Sequence, residues 1–157
     1  YKRQIHNIEC KCVILLETVK IKHKGAGKMQ RINHSVFDMH YHLVLVVKYR
    51  RKVLDGAISQ FLKDMFVRIG KDYHVVIEEW EHDYDHIHVV FSARPATELS
   101  KFINSYKAAS SRMVKKEFPS ITRELWKSHF WKTGFYISTT GGANLETIKK
   151  YVREQRG

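Results

Sequence analysis

The sequence predicts an α+β domain: an antiparallel sheet with two helices on one face, followed by one extra C-terminal helix. Three observations carry this. Four stretches, "VFDMHYHLVLVV", "YHVVIEEW", "HIHVVFS" and "FWKTGFYISTT", are rich in β-branched and aromatic residues and read as strands. Two intervening segments place apolar residues three and four apart, the spacing of one helix face. The resulting order of strand, helix, strand, strand, helix, strand is that of the ferredoxin-like plan.

The first strand starts at Val36 and becomes continuously apolar at Leu43 to Val47, as expected of a strand central in a sheet. "YRRKVLDG" then breaks the run with charge. In "AISQFLKDMFVRIG", residues Ile58, Phe61, Leu62, Met65 and Ile69 share one stripe, which predicts a core-facing helix ending near Gly70. "YHVVIEEW", Tyr73 to Trp80, is the second strand; "EHDYD" is a turn, and "HIHVVFS" completes a hairpin. After Pro95 comes a long amphipathic helix. Leu99, Phe102, Ile103, Tyr106, Met113 and Val114 form its apolar stripe, and its other face offers Lys101, Asn104, Lys107, Ser111, Arg112 and Lys115. Pro119 closes it. "FWKTGFYISTT" is the fourth strand, Gly141 and Gly142 make a turn, and Asn144 can cap a last helix, "LETIKKYVREQ".

With 157 residues, 43% of them hydrophobic, the chain can bury one good core and hardly two. Residues 1–33, with "CKCVILL" and the basic, aperiodic "KIKHKGAGKMQR", read as an extension appended to a domain at 34–157. The balance of 28 Lys and Arg against 16 Asp and Glu gives a formal charge of +12, a field that attracts polyanions, nucleic acid foremost. The basic residues are scattered rather than gathered on one amphipathic helix, which argues against a membrane surface. The longest apolar runs are far short of the roughly 20 residues of a spanning helix, and no signal-peptide pattern is present, so a cytosolic location is expected. "GAGK" at Gly25 to Lys28 lacks the glycine spacing and the Ser or Thr of a phosphate-binding P-loop. Cys10 and Cys12, one residue apart, are awkward for a disulfide and read as reduced thiols.

The candidate chemistry lies in "DHIHVVF", Asp85 to Phe91. In a strand, His86, His88 and Val90 share one face while Ile87, Val89 and Phe91 share the other. The two imidazoles stand about 6.6 Å apart at Cα, close enough to lean onto one ion. A lone His-x-His is more often exposed or hydrogen-bonded, so the metal reading needs a third ligand and a reacting group. On the last helix Tyr151 and Gln155 lie one turn apart on one side. Taken alone, they read as an edge aromatic and a solvated amide. Taken with an ion, Gln155 supplies an oxygen ligand, and Tyr151 is a hydroxyl that needs an activated electrophile, because its normal pKa is about 10.

"DHIH" on a central strand, "TTGGANLETIKKYVREQ" near the end and "HYHLVLVVKYRRKVL" at the opening strand together resemble the small insertion-sequence transposases of the HUH single-tyrosine class, often called TnpA. The likeness covers roughly His34 to Gln155. It implies that His86, His88 and Gln155 bind a divalent ion, Mg²⁺ or Mn²⁺, and that Tyr151 on the extra helix attacks a DNA phosphate to give a 5′ phosphotyrosine and a free 3′ hydroxyl. It also implies single-stranded DNA with hairpins at the element ends as substrate. A homodimer is implied too, with the terminal helix of one subunit completing the site of the other.

Lys48, Arg50, Arg51 and Lys52 in the basic turn, with Lys107, Arg112 and Lys115 on the long helix, are the candidates for DNA backbone contacts. Trp131, Phe135 and Tyr136 can stack on bases, although as strand aromatics they read more readily as core. Two alternatives share the fold. One is a non-catalytic nucleic-acid-binding module, which would carry aromatics where the third strand carries histidines. The other is a domesticated HUH endonuclease acting on repetitive hairpins.

Overall fold

The computed structural model describes residues 30–32, 35–125, 129–140, 150 and 153–154. A two-stranded antiparallel ribbon, β1 (Gln30–Ile32) and β2 (Ser35–Phe37), precedes the main sheet. Then follow β3 (His40–Val46), α1 (Gly56–Asp72), β4 (Val76–His82), β5 (His86–Ser92), α2 (Leu99–Glu117) and β6 (Tyr136–Thr139). The sheet order is β4-β5-β3-β6, every pairing antiparallel. Numbered from β3 as the first strand, the order is 4-1-3-2, the ferredoxin-like arrangement expected from the sequence.

β3 and β5 are central because each is apolar enough to be covered on both faces. Their register pairs Leu43 with Val89 and Leu45 with Ile87, and these side chains point to the helices. On that face Phe66 of α1 is the hub. Its ring meets Phe102 and Tyr106 of α2 at 5.0 Å each, and Phe91 and Trp80 of the sheet at 5.8 and 5.9 Å. The Tyr106 hydroxyl donates to the Leu62 carbonyl, so the polar tip is satisfied inside the core. α1 starts where the Asp55 carboxylate accepts from the Ile58 N–H, a cap worth about 1 kcal/mol.

Three strand boundaries and one register differ from the sequence expectation. The first strand is broken at residues 38 and 39 into β2 and β3. The second strand begins at Val76 rather than Tyr73, because α1 runs on to Asp72 and closes with a reversal. There the Val75 N–H donates to the Gly70 carbonyl and the His74 N–H to the Lys71 carbonyl, with His74 at φ 55. A Cβ on Gly70 would lie 3.2 Å from the Val75 oxygen, so any larger residue here would crowd that carbonyl. Within β4 a bulge between Ile77 and Glu79 shifts the alternation, and Trp80 thereby faces the core, its indole donating to Ser59. The fourth strand is only Tyr136–Thr139, with Trp131 forming an isolated bridge to Val47.

α2 also departs from the sequence expectation beside that strand. Lys107, expected on the polar face, is buried. Its ammonium donates to the carbonyls of Thr133 and Gly134 at 2.6 and 3.2 Å, just before the strand begins. Trp131 is core, its indole donating to Ser110, and Phe135 packs against the core. The last expected helix falls largely outside the described residues; Lys150, Arg153 and Glu154 within it are helical.

Candidate active site

The face of the sheet away from α1 and α2 carries a different set of side chains. Strand alternation puts His42 and Val44 of β3, His86, His88 and Val90 of β5, Glu79 and Glu81 of β4, and Tyr136 and Ser138 of β6 on this side. His42 and His88 are nearly enclosed, at 7% and 4% exposure, and His86 is buried beside them.

The His86 and His88 rings sit edge to face with centroids 4.9 Å apart. Both are held through Nδ1. His86 Nδ1 donates to the Asp85 carboxylate at 2.5 Å. His88 Nδ1 shares a hydrogen bond of 3.0 Å with Nε2 of His42, whose ring stacks on it at a centroid distance of 5.2 Å. Among the described residues neither Nε2 is engaged, so the pair presents two nitrogen donors side by side.

Asp85 is itself held. Arg50 donates to its two oxygens from Nε at 2.7 Å and from Nη2 at 3.3 Å. Burial works against ionisation of Asp85, but the hydrogen bonds from His86 and Arg50 and their charges outweigh it, and the carboxyl lies below its usual range. The turn that delivers Arg50 puts Tyr49 and Arg50 at φ 57 and 53, a conformation that costs a non-glycine residue about 1 kcal/mol or more. Backbone bonds from Val47 N–H to the Asp85 carbonyl and from Leu54 N–H to the Tyr84 carbonyl pin this loop against the histidine strand.

Burial pushes His42 down to about 4; burial, with the neighbouring His42 and His86, pushes His88 down to about 3. At neutral pH both rings are uncharged, the form in which imidazole binds a metal. Two oriented imidazoles, His86 and His88, whose Nε2 atoms make no hydrogen bond among the described residues fit a divalent ion, each ring braced from behind as metal-binding histidines usually are. Asp83, Asp85 and His86 also bring one donor atom each within 4.8 Å of one another. Asp85 is already spent on His86 and Arg50, and Asp83 accepts from the Tyr84 N–H, so this trio orients His86 rather than forming a pocket of its own.

Of the residues expected from the sequence, the structure therefore brings His86 and His88 together. Tyr151 and Gln155 lie outside the described residues, as do Cys10 and Cys12. Arg51, Lys52 and Arg112 are exposed, while Lys48 and Lys115 are half-buried. Arg50 is turned to Asp85, and Lys107 is buried against backbone carbonyls. Tyr136, on the histidine face, meets the His42 ring edge-on at 6.4 Å. Three residues with roles here, Asp85, Arg50 and His42, carry no such role in the sequence reading. Two signals pointed to them: an acid directly before His86, and a second His-x-His at His40 and His42 on the opening strand.

A ferredoxin-like sheet that buries a histidine pair on the side opposite its helices agrees with the class expected from the sequence, that of the HUH single-tyrosine DNA transposases, and the comparisons with known proteins show it. Within it, the chain belongs to the family described as "Transposase IS200 like", whose model matches residues 35–155. The chain is similar to the ISDra2 transposase TnpA of Deinococcus radiodurans, at 30% identity over 82% of this chain and 91% of that protein. It is similar also to the transposase for insertion sequence element IS200 of Salmonella typhimurium, at 28% identity over 82% and 84%. A solved transposase from Deinococcus radiodurans R1 superposes with a TM-score of 0.66 and 25% identity, covering 81% of this chain and 98% of that one. A REP-associated tyrosine transposase, solved bound to a REP hairpin, shares the fold with a TM-score of 0.55 at 14% identity, over 78% and 67%. The chain is thus a DNA transposase, a DNA-processing enzyme of the tyrosine type, and the reading as a non-catalytic binding module gives way. No described helix is long and apolar enough to cross a membrane.

Proposed function

We propose that this transposase cleaves and rejoins single-stranded DNA at hairpin-flanked element ends through a 5′ phosphotyrosine formed on Tyr151, within a catalytic domain at 34–157. The observation that carries the reading is the buried imidazole pair, braced at both Nδ1 atoms with both Nε2 atoms uncommitted among the described residues. His86 and His88, with Gln155, would hold Mg²⁺ or Mn²⁺. When bound, such an ion neutralises charge on phosphoryl oxygens.

The chain's own part is positioning and proton control. Tyr151 gives up its proton, its oxygen forms the bond to phosphorus, and the bond to the 3′ oxygen breaks, which leaves a free 3′ hydroxyl. Rejoining reverses the exchange, so the energy of the phosphodiester is kept and no nucleotide hydrolysis is needed. Support for the terminal helix working at this face comes from Arg153, which donates to Glu79 at 2.5 Å, beside Val90 on the histidine side of the same chain. In a homodimer the same docking can be made to the partner's sheet. Arg51, Lys52, Arg112 and Lys115, with Lys48, are the proposed backbone contacts; the bound hairpin of the REP-associated neighbour belongs to the same substrate class.

The test is Tyr151→Phe beside Tyr136→Phe, incubated with labelled single-stranded oligonucleotides from element ends and Mg²⁺. Expected is a denaturation-resistant adduct that Tyr151→Phe abolishes while hairpin binding persists. An adduct surviving in Tyr151→Phe and lost in Tyr136→Phe would transfer the nucleophile to the described tyrosine on the histidine face. Cleavage that continues in excess EDTA would remove the ion from the mechanism.

A further inference from the structure

His42 enters the site as the hydrogen-bond partner of His88. It stands on β3, across the strand pair from β5 and diagonal to His88, and on the same face. Its Nε2 lies 3.0 Å from His88 Nδ1, and the two rings are nearly parallel, with 14° between their planes. A hydrogen bond between two neutral imidazoles needs one N–H and one bare nitrogen, so the direction of this bond decides which nitrogen of His88 carries its proton. If His42 donates, His88 is protonated at Nε2 and cannot bind a cation there. If His42 accepts, the proton sits on His88 Nδ1 and Nε2 is bare. His86 has no such ambiguity, because a carboxylate only accepts.

Resting on the reading of His86 and His88 as the metal-binding pair, we propose that His42 is a positioning residue. It accepts the Nδ1 proton of His88 and so fixes that ring in the tautomer and orientation that expose Nε2. The face thereby uses two different braces, an ionised Asp85–Arg50 pair for one imidazole and a neutral imidazole for the other. The neutral brace falls to the more enclosed of the two rings, where charge is the more costly.

The wild-type, metal-free protein provides a test that needs no substitution. Ring nitrogen shifts from ¹⁵N–¹H correlation spectra are expected to show His88 protonated at Nδ1 and bare at Nε2; His88 protonated at Nε2 would overturn the proposal whatever the ion does. Mn²⁺ titration followed by electron paramagnetic resonance supplies the second reading. His42→Phe, which keeps the volume and loses the acceptor, is expected to weaken Mn²⁺ binding by 10- to 100-fold. His42→Gln, whose amide oxygen falls near the position of Nε2, is expected to restore most of it. Equal affinity in wild type and His42→Phe, or failure of His42→Gln to recover beyond His42→Phe, would refute the positioning role. His86→Ala and His88→Ala serve as controls for the underlying reading. If neither changes Mn²⁺ binding, the pair is not the site, and both claims fall together.

Discussion

The two faces of the sheet are made by the same strands and differ in almost everything else. On the helix side, Leu43, Leu45, Ile87, Val89 and Phe91 are held by dispersion and burial around Phe66, with polar tips such as Tyr106 satisfied locally. On the opposite side, His42, His86, His88 and Asp85 are as enclosed as core residues, but they are held by directional bonds to partners that must be in the right protonation state. The first face tolerates chemistry of roughly the right size. The second depends on which nitrogen holds which proton, and that makes it sensitive to pH and to single-atom changes.

The largest expected effect is acid lability of the metal-free protein, centred on the histidine face. An unfolded histidine takes up its proton near 6.5, whereas folded His42 and His88 do so only near 4 and 3. Between these values the unfolded chain binds more protons. The stabilisation is therefore complete above pH 6.5 and is lost as pH falls toward 3, on the order of 8 kcal/mol in all. Asp85, held below its usual range, adds loss of the same sign at the acid end. Chemical denaturation at a series of pH values measures this. His42→Leu should flatten the acid limb, and an unchanged limb would place the lability elsewhere.

Next in size, Phe66→Ala should cost about 3–5 kcal/mol with no pH dependence of its own, since it empties space between two helices and the sheet. A pH-dependent loss would blur the contrast between the faces. Asp85→Asn should leave the fold in place yet weaken Mn²⁺ binding by roughly 10- to 100-fold, because the amide can present its N–H to His86 and no longer pairs with Arg50. Calorimetric titration beside a thermal melt separates the two effects. Smallest, His74→Gly should raise stability by about 0.5 kcal/mol, relieving the positive φ at the end of α1 at some expense in unfolded-chain entropy. A melt insensitive to this change would mean the turn is unstrained.

Much of this was legible in the residues themselves. Period-2 alternation placed His86 and His88 on the face away from Ile87 and Phe91, and helical spacing found Ile58, Leu62 and Met65 on the buried stripe of α1. Phe66, next to that stripe, escaped notice, although it became the centre of the core. The bulge at Glu78 escaped too, because an inserted residue looks like ordinary sequence until the partner strand sets the register. Lys107 was misplaced for a related reason: its helical position is polar in pattern, yet two carbonyls from a loop 26 and 27 residues away capture its ammonium. Arg50 read as one more cation in a basic turn, and only the folded turn aims it at Asp85.

The order of the described elements, the sidedness of β3 and β5 and the presence of two imidazoles one residue apart were determined by the sequence alone, since each depends on neighbours within a few positions. The bracing of those imidazoles was decided by the tertiary structure. His42 and His88 are 46 residues apart, and Arg50 and Asp85 are 35 apart. Hydrogen-bond direction, tautomer and desolvation are properties of groups that meet only when distant strands pair, and local pattern carries no record of them.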